Sequence, residues 1–231
     1  MTELRRDAVE DALESAYSGI TKVADGLDEA GLMLPSRCAA WTTGDVLYHQ
    51  LLDARRALRT FASPAAEPPD TDDVGYWTHY PLPGDPAAAE RAEAAAHARH
   101  VRIVAAAYPP GALAWEWRET SAAACRAARA CPHPAVGTQG HVLATADFIA
   151  TLVVEAAVHY LDLTVALAWA PSPDAASLAL VRRVLDGLLG APMPAGWDDR
   201  TCALKGTGRE PVTPADRIVL GAQAGRLPLF G

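Results

Sequence analysis

The sequence predicts a mainly α-helical chain: a four-helix bundle followed by a small α/β segment towards the C-terminus. Three observations carry that prediction. Alanine is used heavily and runs of β-branched residues are few, which favours helices. Half of the 231 residues are hydrophobic, enough to bury a sizeable core. Four long stretches with helical spacing are separated by proline, glycine and aspartate clusters. We divide the chain into a bundle over 1–170 and a small domain over 171–231.

The first helix is expected over about 3–31, with Thr2 leading it; the charged opening MTELRRDAVEDALES carries no signal-peptide pattern. A second helix opens at WTTGDVLYHQ and runs to about Phe61. There Thr42 and Asp45 have capping-box spacing, with Asp in place of the usual Glu or Gln. The stretch ASPAAEPPDTDDVGYWTHYPLPGDP is too rich in Pro and Asp for regular structure, and its aromatic cluster Tyr76, Trp77, His79 and Tyr80 marks a lid. A third helix is expected over about 86–107, stopped by PPG. The next segment, ALAWEWRETSAAACRAARACPHPAVGTQG, reads as mixed, with a short extended piece and a helical turn. The fourth bundle helix covers about 143–169. A helix near 175–190, a loop through PMPAGWDD, a strand at RTCALKG and a short helix from Thr213 complete the chain.

The formal net charge of −8 argues against a nucleic-acid surface, which needs clustered Lys and Arg. Cys38, Cys125, Cys131 and Cys202 have no CxxC spacing, so a cytoplasmic protein with free thiols is expected. The run from 144 to 170 is long enough to cross a bilayer. Asp147, Glu155, His159 and Asp162 interrupt it and no basic flank comes after it, so it reads as a buried helix of a soluble bundle, with no membrane partner.

That helix poses the functional question. Glu155 and His159, four residues apart, share a face; Asp162 lies one turn further on and Thr151 one turn before. Leu152, Val153, Val154, Val158, Leu161 and Leu163 surround them. A carboxylate buried there needs a partner or a metal. A hydrogen-bonded Glu–His pair in the core and a metal-binding pair are both open readings. A metal requires at least a third ligand. His97 and His100, beside Arg99 and Arg102, read as solvated. His133 with Cys125 and Cys131 matches no usual zinc spacing, His141 stands at the mouth of the fourth helix, and His79 belongs to the lid. His49 is the strong candidate. Yet periodicity sets it opposite the apolar stripe of Leu47, Leu51, Ala54, Leu58 and Phe61, where it would be a surface residue.

W-T-T-G-D-V-L-x-H at 41–49, with V-E-A-A-V-H-Y-L-D-L at 154–163, resembles the mycothiol-dependent maleylpyruvate isomerase family, whose members share the DinB-like metal-binding four-helix bundle. The resemblance covers about the first 170 residues and is weaker in the tail. It implies His49, Glu155 and His159 as metal ligands and Asp162 as the acidic partner behind them. It also implies a catalytic arginine near the C-terminus; Arg209, Arg217 and Arg226 are candidates, and Arg209 is favoured. Leu152 departs from the pattern, since many relatives carry Arg there.

The resemblance further implies a catalytic site with an open position, Zn²⁺ as the divalent metal and mycothiol as the thiol cosubstrate. The thiol would add to a small electrophile and either leave after bond rotation, as an isomerase, or stay, as an S-transferase. Trp77 and Tyr80 in the lid are candidate walls for the thiol, whereas Trp115 and Trp117 read as packing residues. The protein would be a monomer or homodimer. Three other readings stand beside this one: a metal-dependent hydrolase, although no HExxH-like general base is apparent; a metal-containing protein that binds small molecules without chemistry; and a metal-free structural pair.

Overall fold

Amphipathic helices can hide their apolar faces only against one another. In the computed structural model, which describes residues 5–79 and 88–230, four of them do so. The first is α1 (Arg6–Asp25). It ends sooner than expected, because Asp28 caps a separate single turn, α2 (Glu29–Leu32), by accepting from the Gly31 N–H at 2.7 Å. The second bundle helix, α3 (Thr43–Phe61), starts where the capping box predicts. The Thr42 hydroxyl accepts from the Asp45 N–H at 3.2 Å and the Asp45 carboxylate accepts from the Thr42 N–H at 2.8 Å.

The third position in the bundle belongs to a different segment from the one expected. Helix α4 (Ala88–Ala105) does form, but it packs chiefly on the outside of α3, and of residues 94–105 only Val101 is buried. The bundle position is taken by α5 (Ala112–Ala130), from the stretch read as mixed. Its buried residues Leu113, Trp117, Ser121, Ala124 and Ala128 recur at three- and four-residue steps, forming a stripe of mostly small side chains. Charged residues between them mask that stripe. A hairpin comes next, β1 (Ala135–Thr138) paired antiparallel with β2 (His141–Ala144). Gln139 and Gly140 turn it with φ of 47° and 82°, the left-handed pair that a tight two-residue hairpin requires. The chain then enters α6 (Thr145–Leu163), which ends at Leu163 and not at 169; the Thr164 hydroxyl donates to the Tyr160 carbonyl at 2.8 Å.

The C-terminal part is helical among the described residues: α7 (Ala175–Leu189), α8 (Asp199–Gly206), α9 (Pro214–Leu220) and a 3-10 turn over Gly221–Arg226. The strand expected at RTCALKG is helix α8. Asp198 caps it through the Thr201 N–H at 2.7 Å, and Cys202, Ala203 and Leu204 bury one face beside α7. The mainly α class stands, and the small sheet of the described residues is the 135–144 hairpin. One buried apolar cluster runs from α1 through α6 to Val181, Val184, Leu185 and Leu204. Among the described residues, no helix is long and apolar enough to cross a membrane.

The first half of the aromatic loop is held down. Asp73 pairs with Arg183 of α7, and Val74 packs over Gly187 so tightly that a Cβ there would sit 2.7 Å from a valine methyl. The Trp77 ring stacks on Phe230 at 4.5 Å. Thr2 and Tyr80 lie outside the described residues, as do the expected starts of the first and third helices.

Candidate metal centre

Helix α6 is buried on nearly all sides, and the two least covered residues of its middle turns are Glu155 and His159. Their four-residue spacing stacks them on the face that meets α3, and α3 presents His49 to them. The His49 Nε2 lies 3.2 Å from Glu155 Oε1, and the His159 Nε2 lies 3.5 Å from the same oxygen. The three side chains are 15, 12 and 11 % exposed for His49, Glu155 and His159, and the two imidazole rings meet edge-on with centroids 4.7 Å apart.

Each imidazole is also held from behind. His159 Nδ1 is 2.9 Å from Asp162 Oδ2. Asp162 has no exposed side-chain surface, and Arg209 grips it from the C-terminal segment: Nε donates to Oδ1 at 2.8 Å and to Oδ2 at 3.0 Å, and Nη2 to Oδ2 at 2.8 Å. The Cys38 thiol donates to the same Oδ2 at 3.3 Å and stands 3.9 Å from His159 Nδ1. On the other side, His49 Nδ1 is 3.2 Å from His97 Nε2 of α4, and the Trp41 ring covers His49 at 5.3 Å. Trp41 and Cys38 belong to the loop before α3, which is tied to the end of α6 by the Arg37 N–H donating to the Asp162 carbonyl at 3.3 Å.

These contacts set the charges. Burial by itself would raise the Glu155 carboxyl, but the hydrogen bonds from His159 and His49 outweigh it and hold the carboxyl well below its ordinary range. Burial would likewise lower His159, yet the bonds to Asp162, Cys38 and Glu155 lift it well above the histidine range. Asp162 is depressed despite its burial, by His159 and then Arg209. His97 moves the other way: burial and then the neighbouring His49 push it below the histidine value, so it is neutral near pH 7.

The donor set fits a metal. One ligand atom from each of His49, Glu155 and His159 lies within 4.8 Å of the others. Ligands about 2.0–2.1 Å from a tetrahedral ion stand roughly 3.3 Å apart, and the separations of 3.2 and 3.5 Å to Glu155 bracket that spacing. Among the described residues the one other such group, Cys38, His159 and Asp162, shares His159 with the first; Cys125, Cys131 and His133 do not form one.

A family model described as mycothiol maleylpyruvate isomerase N-terminal domain matches residues 13–164. The chain belongs to this family. No curated protein and no solved structure matches it. The matched span holds His49, Glu155, His159 and Asp162, and ties the chain to mycothiol-related, isomerase-like chemistry; Arg209 lies beyond it.

The structure therefore gathers five of the sequence candidates: His49, Glu155, His159, Asp162 and Arg209. Of the other arginines, Arg217 is exposed on α9, and Arg226 donates to the Leu189 and Leu188 carbonyls at the end of α7, at 2.6 and 2.8 Å. Trp77 is buried against Phe230, and Leu152 is buried in the core. Trp117 is fully buried and donates to the Thr21 hydroxyl, while Trp115 is 60 % exposed. Sequence reasoning missed His97, Trp41 and Cys38. His97 sits in a polar, alanine-rich helix with no apolar stripe to mark an inner face, and the other two lie in a loop whose path only the fold reveals. A cleft of about 210 Å³ near Lys22, Tyr160 and Asp174 lies on the other side of α6 and shares no residue with the triad.

Proposed function

We propose that the protein is a zinc-dependent enzyme that uses mycothiol as a nucleophile on a small electrophilic metabolite, by cis–trans isomerisation or S-transfer. The observation that carries this reading is the convergence of His49 Nε2, His159 Nε2 and Glu155 Oε1 at ligand spacing. Family membership supports the thiol. Zinc held by two imidazoles and one carboxylate would keep a further position for a thiol and favour its deprotonated, nucleophilic form near neutral pH.

The chain's own residues prepare that position. Asp162 keeps a proton on His159 Nδ1, which leaves Nε2 free to act as a ligand. Arg209 keeps the buried Asp162 ionised and fixed; it acts as a positioning residue through His159, because its Nε and Nη2 are spent on the carboxylate. Trp41 and His97 flank the His49 ring, each with its centroid 5.3 Å away. The four cysteines are free, which suits a reducing, cytoplasmic setting.

The test is turnover of maleylpyruvate, or of a chromogenic aryl halide, with mycothiol and added zinc. Turnover should require both thiol and metal and disappear in Glu155→Ala. Asp162→Asn should reduce metal affinity by about 10–100-fold. Zinc-loaded protein that binds mycothiol yet turns over neither electrophile would favour the sequestering role instead.

A further inference from the structure

We propose that His97 is the positioning residue of His49, resting on the reading of His49, Glu155 and His159 as metal ligands. A neutral imidazole that ligates through Nε2 must carry its proton on Nδ1, and that N–H needs an acceptor to fix the tautomer and the ring's rotation. For His159 the acceptor is Asp162, at 2.9 Å. For His49, whose Nε2 faces Glu155, the atom opposite Nδ1 is His97 Nε2, at 3.2 Å, with the two rings edge-on and their centroids 5.3 Å apart. His97 points its nitrogen at the rear of His49, the side away from Glu155. With a metal on His49 Nε2, the proton moves to Nδ1 and His97 Nε2 serves as the acceptor behind the ligand.

This placement couples assembly of the centre to a peripheral helix. His97 rides on α4, which packs chiefly against α3 and buries only Val101 among residues 94–105. Trp41 lies against both rings, 5.3 Å from His49 and 6.4 Å from His97, so the loop before α3 and helix α4 close on His49 together. A neutral acceptor also returns less electron density to the ligand than a carboxylate does. The His49 bond to a metal is then the weaker and more adjustable of the two imidazole bonds. Docking of α4 thereby tunes the centre.

The experiment measures zinc affinity by competition with a chromogenic chelator, and the visible spectrum of the cobalt-loaded protein, for wild type, His97→Ala, His97→Gln and His49→Ala. His97→Ala should weaken zinc by about 10-fold, the low end of what loss of such an outer partner costs. Its cobalt band should shift in position while keeping the intensity of the wild-type coordination number. His97→Gln, whose amide oxygen can accept from Nδ1, should recover most of the affinity. Unchanged affinity and spectrum in His97→Ala, alongside lost binding in His49→Ala, would overturn the positioning role and leave the metal centre standing. A cobalt band in His97→Ala whose intensity reports a changed coordination number would overturn it too, by making His97 a ligand. Failure of wild type to bind either metal would remove the reading on which the inference rests.

Discussion

Behind His159 stands Asp162, a carboxylate with no exposed side-chain surface, clamped by Arg209 at 2.8 Å and built into the most deeply buried helix of the bundle. Behind His49 stands His97, an exposed imidazole from a helix that lies outside the bundle. The two candidate ligands share one glutamate but differ in what fixes them. The His159 side takes its position from the core, through a charge network that burial makes expensive to disturb. The His49 side takes its position from a peripheral contact. A centre made this way would have one half set by the buried core and one half set by a peripheral contact.

The largest expected effect breaks the half set by the core. Arg209→Ala leaves the Asp162 carboxylate buried with only His159 and Cys38 beside it, and should destabilise the metal-free protein by about 3 kcal/mol in chemical denaturation. The double variant Arg209→Ala/Asp162→Asn should recover part of that loss, because no unpaired charge then remains. If Arg209→Ala cost no more than a surface ion pair such as Arg118–Asp25, the two halves would not differ as described.

A smaller effect comes from pH. His159 is raised, so its bonds stabilise the metal-free fold fully below its unfolded value, and that contribution is lost as pH climbs through the raised value. Glu155 and Asp162 are depressed; their contributions are complete above the unfolded carboxyl range and constant from pH 6 to 8. His97, held low, acts in the opposite sense to His159 in the metal-free protein. Metal on His159 Nε2 must displace the proton that the apo-protein retains, so loading becomes more favourable as pH rises. The gap in Tm between zinc-loaded and chelator-treated protein, at fixed free zinc, should therefore widen from pH 6 to 8. One displaced proton corresponds to about 1.4 kcal/mol per pH unit, or roughly 3–5 °C in a chain of this size. A gap that narrowed over this interval would contradict the assignment of His159 as a ligand.

Much of the candidate site was legible in the sequence, and the parts that were not have physical reasons. Glu155 and His159 stood out because charge in an apolar helix needs compensation, and the Thr42–Asp45 box announced the start of α3. His49 was not legible from periodicity. Its helix is covered on two sides, by the bundle core and by α4 with the loop before α3, and a single-stripe reading finds only the first. The exchange of α4 for α5 has a related cause: α5 buries small residues whose stripe is faint against its arginines and glutamates. RTCALKG is short enough for its apolar residues to fit strand or helix, and the deciding signal was the Asp198 cap just before it. Arg209 was favoured among three arginines from the resemblance, but its place was not legible: it is set by the turn after α8, where its backbone N–H donates to the Leu204 carbonyl at 2.8 Å and its side chain reaches Asp162.

The most direct test is metal content by elemental analysis, on wild-type protein and on His49→Ala purified identically. Near-stoichiometric zinc is expected in the wild type and its loss in the variant, with folding unchanged by circular dichroism. Little metal in the wild type even after incubation with zinc, or equal metal in both proteins, would contradict the metal reading and make Glu155 and His159 a hydrogen-bonded pair of the core.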